Sequence, residues 1–574
     1  MTESGDSISS SKRNGFCTPL LPYLLSAIAA FLCAAAVPEM RAYSGAALSL
    51  GIAAILVELT LRFAFFPFKF AQKTPAKVAY VSARLAGAFL IFVFYFYFRV
   101  PRNPYENFAP RDAVVRVCIA DVSRGANDSR HGTASVVSAP DFARKMEGMK
   151  IWYSVFKDRK SDKPNIDFAP SQILEISGTL AGVFPQEPLS RGHASSKESG
   201  RAFEKYLSER FVYFKITARG ENCKILSAPS GRFGFYDAAL KYMDKSLSVF
   251  AVKGQGESDA ARAYQAMILG DKSRLSAEQK EGFIDTGTMH VFAISGLHVG
   301  FASAFMYAAM TLFRVNRRIQ PFAALPLLYV YVCACGGAPS AMRAFSMIAI
   351  IWSASVLSRG VRPIHALVLA AAGSLLISPT VLFEAGFSLS YGIAASIFVY
   401  GVPLYESLRR ARDSRFVPES RGFLGRFSSA VFAYLAGGFS ISIGAAFAAM
   451  PLTAHYFSYF SPASVIYSPF FVTGAGLVVG LGFAGFALPS FLAQFTNTAA
   501  AWIVGAMSDA AVFGANFADL KIAAQLPSAF SAFAALFAFL ALSAAFERNK
   551  PAVRFVLAPA ASAAIMGVAF FINA

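Results

Sequence analysis

The sequence predicts a polytopic α-helical membrane protein of about 11–13 spans with a small β-barrel inserted on its extracytoplasmic side. Three observations carry that prediction. Of 574 residues, 55% are apolar and 15% charged, with a mean hydropathy of +0.48, outside the usual range of a soluble globular domain. A helix needs about 20 mainly apolar residues to cross a bilayer, and such runs recur along the chain with short polar punctuation between them. One stretch, 99–234, breaks the pattern with dense charge and short β-prone runs. A single anchor on a soluble enzyme is excluded.

Taken in order, the first run, 19–37, follows Lys12 and Arg13 and ends in small residues, the outline of a signal peptide. Two more runs, 43–66 and 78–98, follow closely, so it is read as an uncleaved span. Lys69, Lys73 and Lys77 mark the loop between the second and third runs as cytoplasmic. Residues 1–98 thus start inside and end outside. Residues 99–234 form a soluble, mainly β domain with strands expected at 114–119, 151–156, 173–184 and 211–217. Its size suits an oligonucleotide-binding (OB-like) barrel, though strand count alone does not separate that fold from other small barrels. Residues 235–289 read as amphipathic helix, with Tyr236, Ala239, Leu240 and Met243 on one side, lying on a membrane or a partner.

Residues 290–574 carry the remaining runs, from 291–313 to 553–571. Strict alternation of these runs puts the basic loops 314–318, 359–362, 409–426 and 548–550 all on the cytoplasmic side, as positively charged loops require. The weakest run is 499–513, which contains Asp509 and is open to an interfacial reading.

The formal charge of +19 does not by itself identify a nucleic-acid partner, because cytoplasmic loops of multispanning proteins collect Lys and Arg. The outer domain is different. There Lys and Arg outnumber Asp and Glu, and a large translocated domain escapes the loop rule. Arg111, Arg116, Lys145, Lys157 and Lys160 are its candidate DNA contacts, against the plainer reading of a solvated charged face. Four cysteines, Cys17, Cys33, Cys333 and Cys335, sit in apolar segments. Cys118 and Cys223 lie in the polar module and are expected to pair if it faces an oxidising compartment. No zinc-site spacing and no phosphate-binding Gly-x-x-x-x-Gly-Lys loop occurs, so no metal or cofactor is expected and any motor belongs to a partner.

Four clusters carry the chemistry. In the first, Gly270-Asp271-Lys272 and Thr286-Gly287 lead to His290 and then to Ile294-Ser295-Gly296-Leu297-His298-Val299-Gly300, polar and glycine residues running into a span. Gly296 and Gly300 admit a close helix neighbour, while His290, Ser295 and His298 need a polar interior or a partner. At about 100° per residue, Ser295 and His298 lie about 60° apart and His290 about 80° from His298, so all three are expected on one cavity. Hydrogen bonding between helices is the plain alternative. In the second cluster, Gly336-Gly337-Ala338-Pro339-Ser340-Ala341-Met342-Arg343 breaks an apolar region and ends in a guanidinium able to hold phosphate. The third places Ser388 and Tyr391 after Glu384. The fourth, around His455, is aromatic-rich between Pro451 and Pro462, an interfacial belt or a base-stacking surface.

The order of these clusters resembles the ComEC competence family, whose core has a Gly-Asp segment, Thr-Gly, Ile-Ser-Gly-Leu-His and a later Pro-Ser-x-x-Arg, here Pro339-Ser340-Ala341-Met342-Arg343. The resemblance implies a channel rather than an enzyme, located in the bacterial inner membrane, that passes single-stranded DNA into the cytoplasm during natural transformation. His290, Ser295, Gly296, His298, Gly300, Pro339, Arg343, Ser388, Tyr391 and His455 are then candidates for the path. The partners it implies are an extracytoplasmic DNA receptor and a helicase-like motor inside. A homo-oligomer is open, since small-residue faces serve subunit contacts as well as bundle packing. Many family members continue into a metallo-β-lactamase-like domain with a His-x-His-x-Asp-His motif, which is not found here, so a separate nuclease is expected to degrade the second strand. The alternatives are a transporter of another anionic polymer or lipid, and an intramembrane metal-dependent hydrolase built on His290, His298 and His455.

Overall fold

The computed structural model describes residues 20–573 apart from 37–43, 45–46, 51, 53–73, 101–102, 106–107, 125–128, 158–167, 169–170, 184–206, 208–209, 228–230, 248–257, 358–359, 416–422, 516–520, 525, 527 and 546–550. The polar module is a closed barrel of five strands: β1 (Arg111–Ile119), β2 (Arg130–Ser138), β3 (Lys150–Phe156), β4 (Ile173–Gly182) and β5 (Phe214–Arg219). Around the ring the order is β1-β2-β3-β5-β4 and back to β1; every pair is antiparallel except β3 with β5. That closed order, with its parallel third and fifth strands, is the OB arrangement.

Alternation builds the barrel core. Val115, Val117 and Ile119 of β1, Ala134 and Val136 of β2, and Ile151, Tyr153 and Val155 of β3 all point inward and are buried. Burying each such aliphatic chain contributes about 1.5–3 kcal/mol. Gly178 lets the ring close, because a Cβ there would run into the Thr217 carbonyl of β5.

The rest of the described chain is mainly helical, with one short antiparallel pair, Tyr459–Phe460 with Ile522–Ala523. In chain order the helices are α1 (Leu21–Ala36), α2 (Thr74–Arg99), α3 (Gly231–Ser246), α4 (Asp259–Leu269), α5 (Ala277–Asp285), α6 (Gly296–Leu312), α7 (Gln320–Ala334), α8 (Pro339–Val356), α9 (Pro363–Ile377), α10 (Ala385–Ser396), α11 (Val402–Arg415), α12 (Phe423–Tyr456), α13 (Ser464–Ala487), α14 (Ser490–Ala515), α15 (Ala529–Ala545) and α16 (Pro551–Asn573). Among the described residues, four segments are long and apolar enough to cross a membrane: Ala385–Ser414, Gly425–Tyr456, Ser464–Ala487 and Ser490–Ala515. Six shorter apolar helices, among them Gly296–Leu312 and Pro363–Ile377, accompany them. The first segment joins α10 to α11 through a π-turn, Ile397–Gly401, where a Cβ at Gly401 would stand 3.2 Å from the Ser440 carbonyl of α12.

Two apolar cores organise the helices. One is built from α3–α8, α13 and α14, the other from α1, α2, α9, α10, α12, α15 and α16. Two expectations change here. Residues 499–513 belong to a continuous 26-residue helix, because Asp509 is exposed while Ala500, Ala501, Val504, Met507 and Ala511 bury the opposite side. Within 235–289, α3 keeps Phe235 and Tyr242 exposed, whereas α4 packs into the first core and buries Ala261 and every residue from Ala263 to Leu269. Its Tyr264 hydroxyl donates to Asn497 Oδ1 of α14 at 2.8 Å.

Candidate functional site

Two glycines prepare the site. Gly336 and Gly337 adopt φ +90° and +61°, the left-handed region that a Cβ disfavours, and turn the chain from α7 into α8. Pro339 opens α8 where its missing N–H is harmless. Ser340 Oγ then donates to the Ile294 carbonyl at 2.8 Å, tying α8 to the residue before Ser295. Ser295 caps α6: the Leu297 N–H donates to Ser295 Oγ at 3.2 Å, and the Ser295 N–H donates to His298 Nδ1 at 3.4 Å. With Nδ1 accepting, the ring proton sits on Nε2. That atom lies beside the Met267 backbone and makes no hydrogen bond of normal geometry.

Arg343, one turn into α8, is the centre. It is only 9% exposed, and its Nε and Nη1 are buried without a hydrogen-bond partner. The guanidinium carbon stands 5.2 Å over the Tyr391 ring of α10. A Cβ at Gly296, the first residue of α6, would stand 3.2 Å from Arg343 Nη2, and one at Gly386 of α10 would stand 3.6 Å from Pro339. The first turns of α6 and α8 therefore meet at the guanidinium, with Tyr391 from the second turn of α10 beneath it and the start of α10 packed on Pro339. Each helix start carries roughly half a positive charge and unused N–H groups. A buried, unpaired guanidinium costs several kcal/mol (about 3–5) unless an anion or acceptor answers it. The arrangement favours an anion.

The other path candidates divide. Tyr391 Oη shares a hydrogen bond with Ser374 Oγ at 3.2 Å, and Ser388 Oγ donates to the Leu382 carbonyl while facing Tyr456 Oη at 3.2 Å, so both brace the start of α10. His290 does not share a helix with His298. It sits in a separate 3-10 turn, Met289–Phe292, is exposed, and has its Nδ1 3.2 Å from the Gly287 carbonyl, so a helical projection from 290 to 298 does not apply. Gly300 is not a close-packing position, since a Cβ there would meet nothing within 4 Å. His455 lies at the end of α12 with Nδ1 3.4 Å from the Leu526 carbonyl and its ring against Tyr456. Among the described residues, no three His, Cys, Asp or Glu side chains stand together as a metal site.

On the barrel, Arg111 stands over the Phe142 ring at 5.7 Å, Arg116 Nε bonds Glu175 Oε2 at 3.0 Å, and Lys145 is exposed. Lys157 lines an open groove with Arg219, Asp112 and Glu221, so acids share that surface; Lys160 lies outside the described residues. The expected Cys118–Cys223 disulfide is absent, and both thiols are free. The register explains it. Cys118 pairs with Ile173 on one edge of β4, and Cys223 pairs with Ile176 on the other. Two strand spacings, about 9–10 Å, exceed the reach of a disulfide. Burial pushes the Cys223 thiol up to about 12.

Two features escaped the sequence reading. His131 of β2 stacks on Trp152 of β3 with ring centroids 5.7 Å apart, both outward positions of their strands. At the seam between barrel and helices, Glu384 has its carboxyl raised by burial, with Lys150 and Arg210 of the barrel pulling it back and Asp121 adding to the rise. Strand alternation marks Trp152 as outward, but β2 was not foreseen and His131 with it; Glu384 stood in the third cluster, while its place at the seam depends on barrel residues distant in the chain.

Residues 267–549 match the family model described as Competence protein, a span that contains Arg343, Gly296 and Tyr391. The chain carries a competence-family membrane core. ComE operon protein 3 of Bacillus subtilis (strain 168) is 25% identical to it over 294 residues, which cover 48% of this chain and 35% of that protein. The chain thus spans about a third of the length of the curated relative it matches. No solved structure matches. Within the competence core, the Ser295 cap, the Gly336-Gly337 turn and Arg343 all fall in the matched span, whereas the barrel precedes it.

Proposed function

We propose that this competence protein is the multi-pass channel of a bacterial inner membrane that passes single-stranded DNA into the cytoplasm, with phosphodiester groups meeting Arg343. The observation that carries the reading is the guanidinium itself: Nε and Nη1 unpartnered, against the first residue of α6 and the Tyr391 ring of α10, inside the competence core. A translocating strand needs a cation that recognises each phosphate and then releases it. One arginine with helix N–H groups, in place of a cluster of lysines, meets that need. The barrel stands on the extracytoplasmic side and receives DNA from a receptor, and a helicase-like motor draws the strand inward. The chain conducts and does no chemistry on its cargo.

The test is carried out in a transformable strain lacking the gene, complemented with the intact chain, Arg343→Lys or Arg343→Ala at matched membrane abundance. Nuclease-protected, labelled DNA is then measured. Intact chain restores internalisation, Arg343→Lys restores part, and Arg343→Ala leaves DNA bound outside. Normal internalisation in the null strain contradicts the reading and moves the cargo to another anionic polymer or a lipid.

A further inference from the structure

The connector between β4 and β5 holds an aromatic residue in an unusual backbone state. Phe211 has φ +59°, a region bulky side chains rarely adopt and keep only where the surroundings impose it. Its ring fills the angle between Phe96, near the end of α2, and Phe383, just before α10. The centroid distances are 5.6 Å to Phe96 and 5.7 Å to Phe383, with 6.3 Å between those two, and all three pairs are edge-on, at 70°, 74° and 69°.

Each side of this triad is fixed. On the barrel side, the Val212 N–H donates to the Leu207 carbonyl at 3.0 Å and the Val183 N–H donates to the Tyr213 carbonyl at 2.9 Å. Leu207 and Val212 are buried against Val183, with Trp152 of β3 packed on them. On the helical side, Phe383 ends the 3-10 turn Pro379–Phe383, and its carbonyl accepts the Tyr456 hydroxyl at 3.2 Å. The next residue, Glu384, opens α10, which carries Tyr391 to the face of Arg343. A short chain of packed rings and about two helix turns thus links the outer face of β3 to the anion site.

We propose that Phe211 is a positioning residue: a joint through which the barrel holds the first turn of α10, and with it the Tyr391–Arg343 pair, in register. The consequence for transport rests on the proposed function; the joint itself does not. Contiguity alone does not establish coupling, and a double-mutant cycle measures it. A mere domain anchor predicts loosening of the barrel seam with α10 untouched.

The experiment uses the full chain in lipid nanodiscs, comparing Phe211→Ala, Phe383→Ala, the double variant and Phe211→Tyr by amide hydrogen exchange. In the joint, Phe211→Ala speeds exchange at 385–391 by about tenfold while 150–156 stays protected. Phe383→Ala does the same, the double variant is no faster than either single one, and Phe211→Tyr restores protection. Unchanged exchange at 385–391, or additive effects of the two alanines, overturns the proposal. If the alanine variants do not accumulate, Phe211→Leu and Phe383→Leu, which keep apolar volume and lose the ring edges, give the same cycle. Internalisation of labelled DNA is read in parallel and falls about tenfold with the loss of protection. Loss of protection with normal internalisation overturns the joint's part in transport. Normal internalisation in Arg343→Ala as well locates the failure in the DNA reading.

Discussion

Replacing Arg343 with methionine should stabilise the helical body while abolishing transport. Two buried donor nitrogens without partners, Nε and Nη1, each cost about 1–3 kcal/mol. The face-on contact with Tyr391 returns about 1–2 kcal/mol. Methionine keeps a flexible, polarisable chain against that ring and introduces no charge. The balance is a gain of about 2 kcal/mol, the expected direction when an uncompensated buried charge is replaced by an apolar side chain. Denaturant titration in nanodiscs can follow it, because Trp352 lies on the same helix as Arg343 and a variant keeping only that tryptophan reports the site locally. Arg343→Met should shift the midpoint upward. A loss of more than about 2 kcal/mol would show that the guanidinium holds the fold together, and the reasoning from its unmet bonds would fail.

Other consequences are equally direct. Without reductant, Cys118 should label with a thiol reagent and Cys223 only after unfolding; labelling of both only after reduction would restore the disulfide. Because burial raises the folded Cys223 thiol from its ordinary 9.0 to about 12, folding favours the protonated form; its stabilisation is full below about pH 9 and is lost as pH rises toward 12, visible as alkaline weakening of the barrel that Cys223→Ala removes. Gly178→Ala should cost the barrel about 1–3 kcal/mol in a melt followed by Trp152 fluorescence, since its Cβ meets the Thr217 carbonyl; no loss would mean the ring closes less tightly. Ser295→Ala should cost about 1 kcal/mol by removing the cap of α6, with Ser295→Thr near neutral, and a neutral alanine would contradict the capping box.

Much of the architecture was legible because the bilayer imposes a coarse rule. Apolar runs at 322–335, 364–377 and 465–488 became α7, α9 and α13 within a few residues. The barrel was legible where its strands alternate strongly, as in β1, β3 and β4. β2 was missed because Gly132 and Ala134 stand where larger apolar residues usually mark the inward face. The run at 211–217 was read as one strand, but Phe211 leaves the extended region and β5 begins only at Phe214. For the site, Arg343 stood out because a lone cation beside Gly-Gly and Pro is unusual in an apolar stretch. Its neighbours Gly296 and Tyr391 come from other helices, and no local pattern encodes that meeting. The helical projection that linked His290 to His298 does not apply for a related reason: the cap at Ser295 is where the helix starts.

The central claim is that phosphate passes Arg343 on its way across the membrane. Purified chain reconstituted in a planar bilayer, with Arg343→Met beside it, tests this most directly: ionic current is recorded while oligothymidylate is added to the barrel side. The intact chain should give transient, voltage-dependent current blocks, and Arg343→Met should lose them although that variant remains folded. Blocks of the same frequency and duration in both proteins would contradict it.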